Sequence, residues 1–247
     1  QLDSESTITD DQNFEKIRVT SGKKVDANLY VNYENAMLTF AKLSISKNEE
    51  ALENLGKFAE WTEIDLLIKN DELLLNGFTV VDKNDKNFLK IFNNQPPQTI
   101  SLVDHMPYNT IYFIYLGFED YRKFHSSYKS YLNSNNMLDS YENKISSINN
   151  IINTNIENHF MPWIDKEMAL MITETDKKEI TDNRFFIIKA NNIDTAKTEL
   201  EKLRNKTANT EIIRAGNDGK HVIKQIGLQD LIPTLFGQQF KGITSNY

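Results

Sequence analysis

The chain has 247 residues, a formal net charge of −7 and 39% hydrophobic residues, which is enough to bury a substantial core in one large domain or two small ones. The negative net charge argues against a dedicated nucleic-acid binder, because no excess of Lys and Arg is present to replace the counterions of phosphate groups. The chain contains no cysteine, which excludes disulfides, thiolate metal sites and cysteine nucleophiles. No apolar run approaches the roughly 18 residues that a membrane span requires.

The first part of the chain is polar. Residues 1–24 begin with an acidic stretch and predict a flexible lead-in, so we expect the folded domain to cover residues 25–247. Packing of the second half of the lead-in through Phe14, Ile17 and Val19 is the alternative. A short strand is predicted from Ala27 to Tyr33, with a helix following from about Glu34. The sequence Ser46–Glu49 is a capping box and predicts the start of a second helix.

The clearest local signal is a β-hairpin that begins at Trp61. Apolar residues alternate along its first strand, and Asn70 and Asp71 supply a polar two-residue turn, in which Asn tolerates positive φ. The return strand places Leu73, Leu75, Gly77 and Thr79 on one face, and Leu74, Asn76, Phe78 and Val80 on the other. A glycine in the middle of a strand indicates a bulge or a close backbone approach.

Later elements follow from hydrophobic periodicity and from turn residues. A short helix is predicted around Phe88–Phe92, longer helices over 118–132 and 193–203, strands over 100–103, 110–116, 168–173 and 184–190, and a hairpin over 211–226. The last residues are apolar and resemble the interior of a domain, so we expect the domain to be incomplete at its C-terminus.

Residues 134–160 are predicted to form a helical segment with a narrow apolar seam. The seam consists of Leu138, Tyr141, Ile145, Ile148 and Ile152. A coiled-coil partner is one interpretation, and an amphipathic helix packed on a core is the other. We favour the core helix because coiled coils require more heptads.

Three segments resemble one another and begin at Val31, Leu116 and Asn191. Each follows a predicted strand and carries an acidic residue at a helix start, where negative charge is favourable. Strand-to-helix junctions in general share this pattern, so an unrelated origin remains open. The repeated pattern predicts an α+β fold of antiparallel sheets built from repeated β-α-β-β modules, with helices mainly on one face.

No catalytic motif, cofactor-binding motif or metal-ligand spacing stands out. His159 has Asp165 and Glu167 nearby, but a zinc site there is disfavoured. Tyrosines cluster between residues 108 and 131, and Tyr is common at interfaces and on sugar-binding platforms. The candidate binding residues are therefore Tyr108, Tyr112, Tyr115, Tyr121 and Tyr128, and ordinary strand and helix packing is the alternative for each.

Several short motifs occur in a characteristic order. These are W-x-E-I-D-L at Trp61, L-N-G-F at Leu75, Phe-Leu at Phe88, Q-P-P at Gln95 and M-P-Y-N-T at Met106. The order resembles a family of uncharacterised Bacteroidetes envelope proteins that carry a domain of unknown function, over roughly residues 27–245. The resemblance implies an exported protein in the periplasm or on the outer cell surface, held to the membrane by an N-terminal segment outside this sequence. It implies no catalytic residues.

Two classes of function remain open from the sequence. The first is a non-enzymatic envelope protein that binds another protein or a cell-surface polymer, or that serves as a structural module. The second is a hydrolase acting on an envelope polymer, with a site assembled from distant residues. The lack of a local catalytic signature favours the first class.

Overall fold

The computed structural model describes residues 7–43, 54–81, 83–174, 183–207, 212–215, 221–224, 226–237 and 240. The chain divides into two compact units. Unit 1 comprises residues 1–93 and 127–135, and unit 2 comprises residues 94–126 and 136–247. The predicted α+β class with antiparallel sheets is confirmed. The expectation of one domain over residues 25–247 stays a prediction, and each of the two units has a three-stranded sheet of its own.

Unit 1 is built around a three-stranded antiparallel sheet with the order β1-β2-β3. Its elements in chain order are α1 (Gln12–Arg18), β1 (Ala27–Asn32), α2 (Tyr33–Leu43), β2 (Trp61–Lys69), β3 (Glu72–Val80) and a 3-10 helix at Phe88–Phe92. The predicted hairpin is confirmed, and Asn70 adopts the positive φ of 43° that its turn requires. The capping box at 46–49 lies outside the described residues.

The N-terminal segment packs onto this sheet instead of remaining a flexible lead-in throughout. Asp11 caps α1 by accepting hydrogen bonds from two backbone amides and also accepts one from the indole nitrogen of Trp61 at 2.9 Å. Phe14 and Ile17 are buried, and the Phe14 ring lies 5.2 Å from that of Trp61. Of the three apolar side chains in the second half of residues 1–24, Phe14 and Ile17 anchor this helix and Val19 stays exposed.

Gly77 lies where the backbones of β2 and β3 approach closely. The register runs without a shift from Trp61 opposite Val80 to Lys69 opposite Glu72, so β3 carries no bulge. A Cβ atom on Gly77 would overlap the carbonyl oxygen of Glu63. Of the two predicted reasons for a glycine in this strand, the close approach is the one observed.

Unit 2 contains a second antiparallel sheet, in the order β4-β5-β6. Its strands are β4 (Thr110–Gly117), β5 (Ile164–Thr173) and β6 (Arg184–Ala190), and 3-10 helices occupy Leu102–His105 and Ile156–His159. Its other elements are α4 (Leu138–Ile152), α5 (Ile193–Arg204), the paired strands β7 (Ile212–Ala215) and β8 (His221–Lys224), and α6 (Leu231–Phe236). The helix α3 (Tyr121–Ser134) has its first residues in unit 2 and its last in unit 1. The apolar C-terminal stretch packs in this unit, with Phe186 lying 5.1 Å from Phe236 and 4.7 Å from Phe240.

The apolar seam of residues 138–152 belongs to a core helix. Tyr141, Ile145, Ile148 and Ile152 of α4 are all buried. The favoured interpretation is confirmed, and the coiled-coil interpretation is wrong, because unit 2 itself covers the seam.

The strand predicted over residues 100–103 is wrong. Residues Leu102–His105 form a 3-10 helix. The backbone amides of Ser101 and Leu102 donate to the carboxylate of Glu167, at 2.7 and 3.1 Å. A side chain 65 residues away in sequence thus replaces the strand partner that the apolar composition predicted.

The three echoing segments do follow strands and lead into helices. They start α2 after β1, α3 after β4, and α5 after β6. In unit 1, β1 and α2 are followed by β2 and β3, and the three strands form one sheet. In unit 2, β4 is followed by α3 and α4 and then by β5 and β6, and these three strands also form one sheet. The β-α-β-β order is therefore present in both units.

Candidate functional site

The sheet of unit 1 has one face without charged residues. Paired residues on neighbouring antiparallel strands point to the same face, so the register places Leu29, Ile64 and Gly77 side by side. Ala27, Leu66 and Leu75 form the next row, and Ile68 and Leu73 the last. We call the six large side chains of these rows the distal face: Leu29, Ile64, Leu66, Ile68, Leu73 and Leu75.

The distal face is open to solvent. Leu29, Ile68, Leu73 and Leu75 are 56%, 59%, 62% and 64% exposed. Ile64 and Leu66 are half-buried. Single exposed apolar residues are ordinary, but adjoining rows of them with no charge between mark interaction surfaces.

Strand β3 also has an open edge. Among the described strands it pairs with β2 alone. The backbone amide of Tyr33 donates to the carbonyl of Glu60 at 3.1 Å, so the even-numbered residues of β2 hydrogen-bond to β1. Successive residues of a central antiparallel strand bond to opposite neighbours, so the odd-numbered residues of β2 bond to β3. The even-numbered residues of β3 bond to β2, so the amides and carbonyls of the odd-numbered residues from Leu73 to Thr79 point outward.

The opposite face of the same sheet carries two neighbouring carboxyl groups. Asp65 accepts from the Gly22 amide at 2.9 Å and from the Asn28 side chain at 2.6 Å, and the Gly22 bond leads the interactions that lower the pKa of Asp65. Glu63 is fully buried, and its carboxyl group interacts with the side chains of Asp65 and Asn28. Burial, together with the adjacent Asp65 carboxylate, raises the pKa of Glu63.

Unit 2 contains a buried carboxylate that has many hydrogen-bond partners. Glu167 is 3% exposed and accepts from the Ser101 hydroxyl at 2.6 Å and from the Lys189 ammonium at 2.7 Å, in addition to two backbone amides. Burial alone would raise the pKa of Glu167, but the hydrogen bonds from Lys189, Ser101 and Leu102 outweigh it and lower that pKa to about 2.

Within this cluster, Ser101 and Lys189 form the closest approach to a catalytic pair. The Lys189 ammonium donates to the Ser101 hydroxyl at 2.7 Å. A lysine that activates a serine must lose its proton, which requires a lowered pKa. The hydrogen bond to Glu167 instead raises the pKa of Lys189. The geometry therefore holds the 3-10 helix at Leu102 in place and opposes nucleophilic chemistry.

The candidate tyrosines are not brought together on one surface. Tyr108 is fully exposed and Tyr112 is exposed on β4. Tyr115 is half-buried, and its hydroxyl donates to the Thr99 carbonyl at 3.3 Å. Tyr121 and Tyr128 are buried, so their rings serve packing and cannot present a platform to a ligand.

The two buried histidines pair with carboxylates. His159 lies 2.9 Å from Glu199, and His125 lies 3.2 Å from Glu157 and 3.0 Å from the Tyr141 hydroxyl. Asp165 and Glu167 do not join His159, and no cluster of three metal-ligating side chains occurs among the described residues.

An apolar cavity of about 310 Å³ lies within unit 2 and is lined by side chains such as Trp163, Phe186 and Leu228. Its lining residues include no charged side chain. A pocket that fixes a ligand's orientation normally combines apolar walls with a few polar groups. The described residues around this cavity therefore offer a ligand apolar contacts but no charged group.

The fold and the candidate site thus define an α+β protein with antiparallel sheets and an open apolar surface on unit 1. Comparison with family models, with curated proteins and with solved structures gave no match. Within the described part of the chain, no helix combines the length and the apolar character that crossing a bilayer requires.

The distal face was partly visible in the sequence, and the Glu167 cluster was not. The alternation of Ile64, Leu66 and Ile68, with Leu73 and Leu75 on the return strand, was the signal for the first. The only signal for the second was a glutamate at the edge of the apolar run that starts at Met168.

Proposed function

We propose that this chain is a non-enzymatic interaction module of the bacterial cell envelope, in the periplasm or on the outer surface. It binds another protein through the distal face of unit 1. The observation that supports this proposal is the set of adjoining, uncharged Leu and Ile side chains that the sheet presents to solvent. The envelope location is supported by the resemblance of the Trp61–Pro107 motifs to those of exported proteins.

A partner protein suits this surface better than a sugar polymer. Sugar-binding sites rely on aromatic platforms and hydrogen-bonding side chains, whereas the distal face consists of aliphatic side chains. Burying apolar area is the main favourable term in association between proteins. The exposed Tyr108 and Tyr112 of unit 2 are the residues that a polymer would use.

Photo-cross-linking in intact cells tests the proposal. A photoreactive residue in place of Leu75 is expected to yield a protein adduct, whereas the same residue in place of the exposed Gln12 on α1 is expected to yield none. A second substitution, Ile68→Lys, is expected to reduce the Leu75 adduct about tenfold, because burying the new charge costs at least ~1.4 kcal/mol. Equal yields at Leu75 and Gln12, or a Leu75 adduct unaffected by Ile68→Lys, would contradict the proposal.

One form of the alternative, a hydrolase acting on an envelope polymer, uses a reactive serine, and among the described residues the Ser101 hydroxyl accepts a hydrogen bond from a lysine. Because Lys189 is held in its charged form, we expect a fluorophosphonate probe to leave Ser101 unlabelled. Mass spectrometry of the intact protein measures this, with Ser101→Ala as the matched control. Stoichiometric labelling that disappears in Ser101→Ala would establish the hydrolase and displace the interaction module.

A further inference from the structure

Strand β3 lacks the features that normally keep an exposed sheet edge from pairing. Natural edge strands carry lysines, prolines or bulges, or are very short. β3 runs for nine residues, contains no lysine or proline, and pairs with β2 without a register shift. Eight of its positions are exposed and the ninth is half-buried, so another strand can reach its outward amides and carbonyls.

We propose that β3 pairs with β3 of a second copy of this chain, in an antiparallel register centred on Asn76. This inference rests on the proposed function, since it identifies one partner of the same open sheet. The two sheets join into one continuous six-stranded sheet, and their distal faces become neighbours. A larger apolar surface then becomes available to the partner protein.

The register follows from the two-fold symmetry of a pair of identical strands. Centring on Asn76 brings all nine residues of β3 into the pair. Leu75 then lies opposite the partner's Gly77, and Leu73 lies opposite the partner's Thr79. These are the residues whose amides and carbonyls point outward, so the register supplies a hydrogen-bonding neighbour to each of them.

The charges favour a second copy as the occupant of this edge. Glu72 is the only charged residue of β3, and in this register it lies opposite the partner's Val80. On one face of the joined sheet, Leu74 lies beside the partner's Phe78, which matches apolar with apolar. The two Asp65 carboxylates lie about 14 Å apart, three strand spacings, which exceeds the roughly 8 Å screening length at physiological salt.

Engineered cysteines test the register, because the chain has no cysteine of its own. Asn76 would lie opposite its own copy as a non-hydrogen-bonded pair, with Cα atoms about 4.5 Å apart, within the range of a disulfide. In Asn76→Cys we therefore expect mild oxidation to convert most of the purified protein to a covalent dimer. In Leu74→Cys the two substituted residues lie about 14 Å apart, four residues along the strand and one strand spacing across it, and we expect no cross-link.

A backbone substitution tests the edge itself. Leu75→Pro removes one outward amide and leaves the β2–β3 bonds intact, whereas Leu75→Thr removes the same apolar side chain and keeps the amide. In sedimentation experiments we expect a concentration-dependent dimer for the unaltered protein and for Leu75→Thr, and at least about tenfold weaker association for Leu75→Pro. Circular dichroism checks folding, and the cysteine pair decides the matter if Leu75→Pro does not fold.

The outcomes separate this inference from the function on which it rests. A monomer at all accessible concentrations, or equal cross-linking of Asn76→Cys and Leu74→Cys, overturns β3–β3 pairing. If the cellular adduct at Leu75 then contains a different protein, the interaction module stands and its edge binds that protein instead. If Asn76→Cys cross-links as expected but no other protein reaches Leu75 in cells, the pairing stands and the proposed partner is refuted.

Discussion

Replacing Glu167 with glutamine is expected to lower the free energy of unfolding at pH 7 by about 2 kcal/mol or more. The Glu167 carboxylate accepts hydrogen bonds from Lys189, the Ser101 hydroxyl and two backbone amides, and one bond to a charged group contributes roughly 1.5–3 kcal/mol. A neutral amide retains one acceptor oxygen and places an N–H group against donors. The backbone amides of Ser101 and Leu102 then lose part of their hydrogen bonding to the Glu167 carboxylate.

The same carboxylate gives the effect a pH dependence of definite sign. The pKa of Glu167 is lowered to about 2 in the folded protein, so its contribution is fully present above the ordinary glutamate value near 4.5. It is lost progressively as the pH falls from about 4.5 to 2. The difference between the unaltered protein and Glu167→Gln should therefore shrink over that window.

Chemical denaturation at several pH values measures this difference, with Asp165→Asn as the matched control. Asp165 lies on the same strand at 3.9 Å from the same Lys189 ammonium, but its side chain is partly exposed, and such surface pairs contribute about 0–1 kcal/mol. If Glu167→Gln and Asp165→Asn have the same small effect, the Glu167 cluster does not stabilise unit 2 as described.

Replacing Glu63 with glutamine is expected to have the opposite effect and to stabilise the protein at pH 7 by about 1 kcal/mol or more. Burying a charged carboxylate beside a second carboxylate is costly, and the raised pKa of Glu63 shows that the hydrogen bonds at this site offset that cost only in part. Glu63 is fully buried beside Asp65. A side-chain amide is neutral and can donate a hydrogen bond to the Asp65 carboxylate, so the substitution removes the charge and supplies a donor.

The pH dependence separates Glu63 from Glu167. The pKa of Glu63 is raised in the folded protein, so its protonated form stabilises fully below the ordinary value near 4.5. That contribution is lost as the pH rises through the raised pKa. Glu63→Gln should therefore be close to the unaltered protein in stability at pH 4 and clearly more stable at pH 7.

Thermal unfolding at pH 4 and pH 7 measures this contrast. Glu15→Gln is the control, because Glu15 forms an exposed ion pair with Arg18 on α1 and is expected to change the midpoint little. A Glu63→Gln protein that is less stable than the unaltered protein at pH 7 would show that the hydrogen bonds of the Glu63 carboxylate outweigh the cost of burying its charge.

Local patterns in the sequence predicted most of the secondary structure. Asn70 and Asp71 predicted the hairpin, and the spacing from Tyr141 to Ile152 predicted a core helix. Both predictions succeeded because turn preference and helical periodicity depend on residues close together in the sequence. The strand expected at Ile100 failed because Glu167 binds the backbone there, and no local pattern encodes a contact between residues so distant in the sequence.

The candidate surface was predicted in its residues but not in its exposure. The alternation in β2 and β3 identified which side chains share a face, but apolar alternation ordinarily indicates a buried face. Whether Leu73 and Leu75 are covered depends on what the rest of the chain packs against. The tyrosines are the reverse case. Their clustering in the sequence suggested a binding surface, but Tyr121 and Tyr128 are buried in the folded protein.

The central claim is that the sheet of unit 1 leaves β3 open for a partner, and residue-resolved amide hydrogen exchange tests it most directly. At low micromolar concentration we expect the outward amides of Leu73, Leu75 and Gly77 to exchange at least tenfold faster than the inward amides of Leu74, Asn76 and Phe78. Raising the protein concentration should protect the outward set as β3 pairs with its copy. Equal protection of both sets in the dilute protein would show that another part of the chain covers this edge, and would contradict the account.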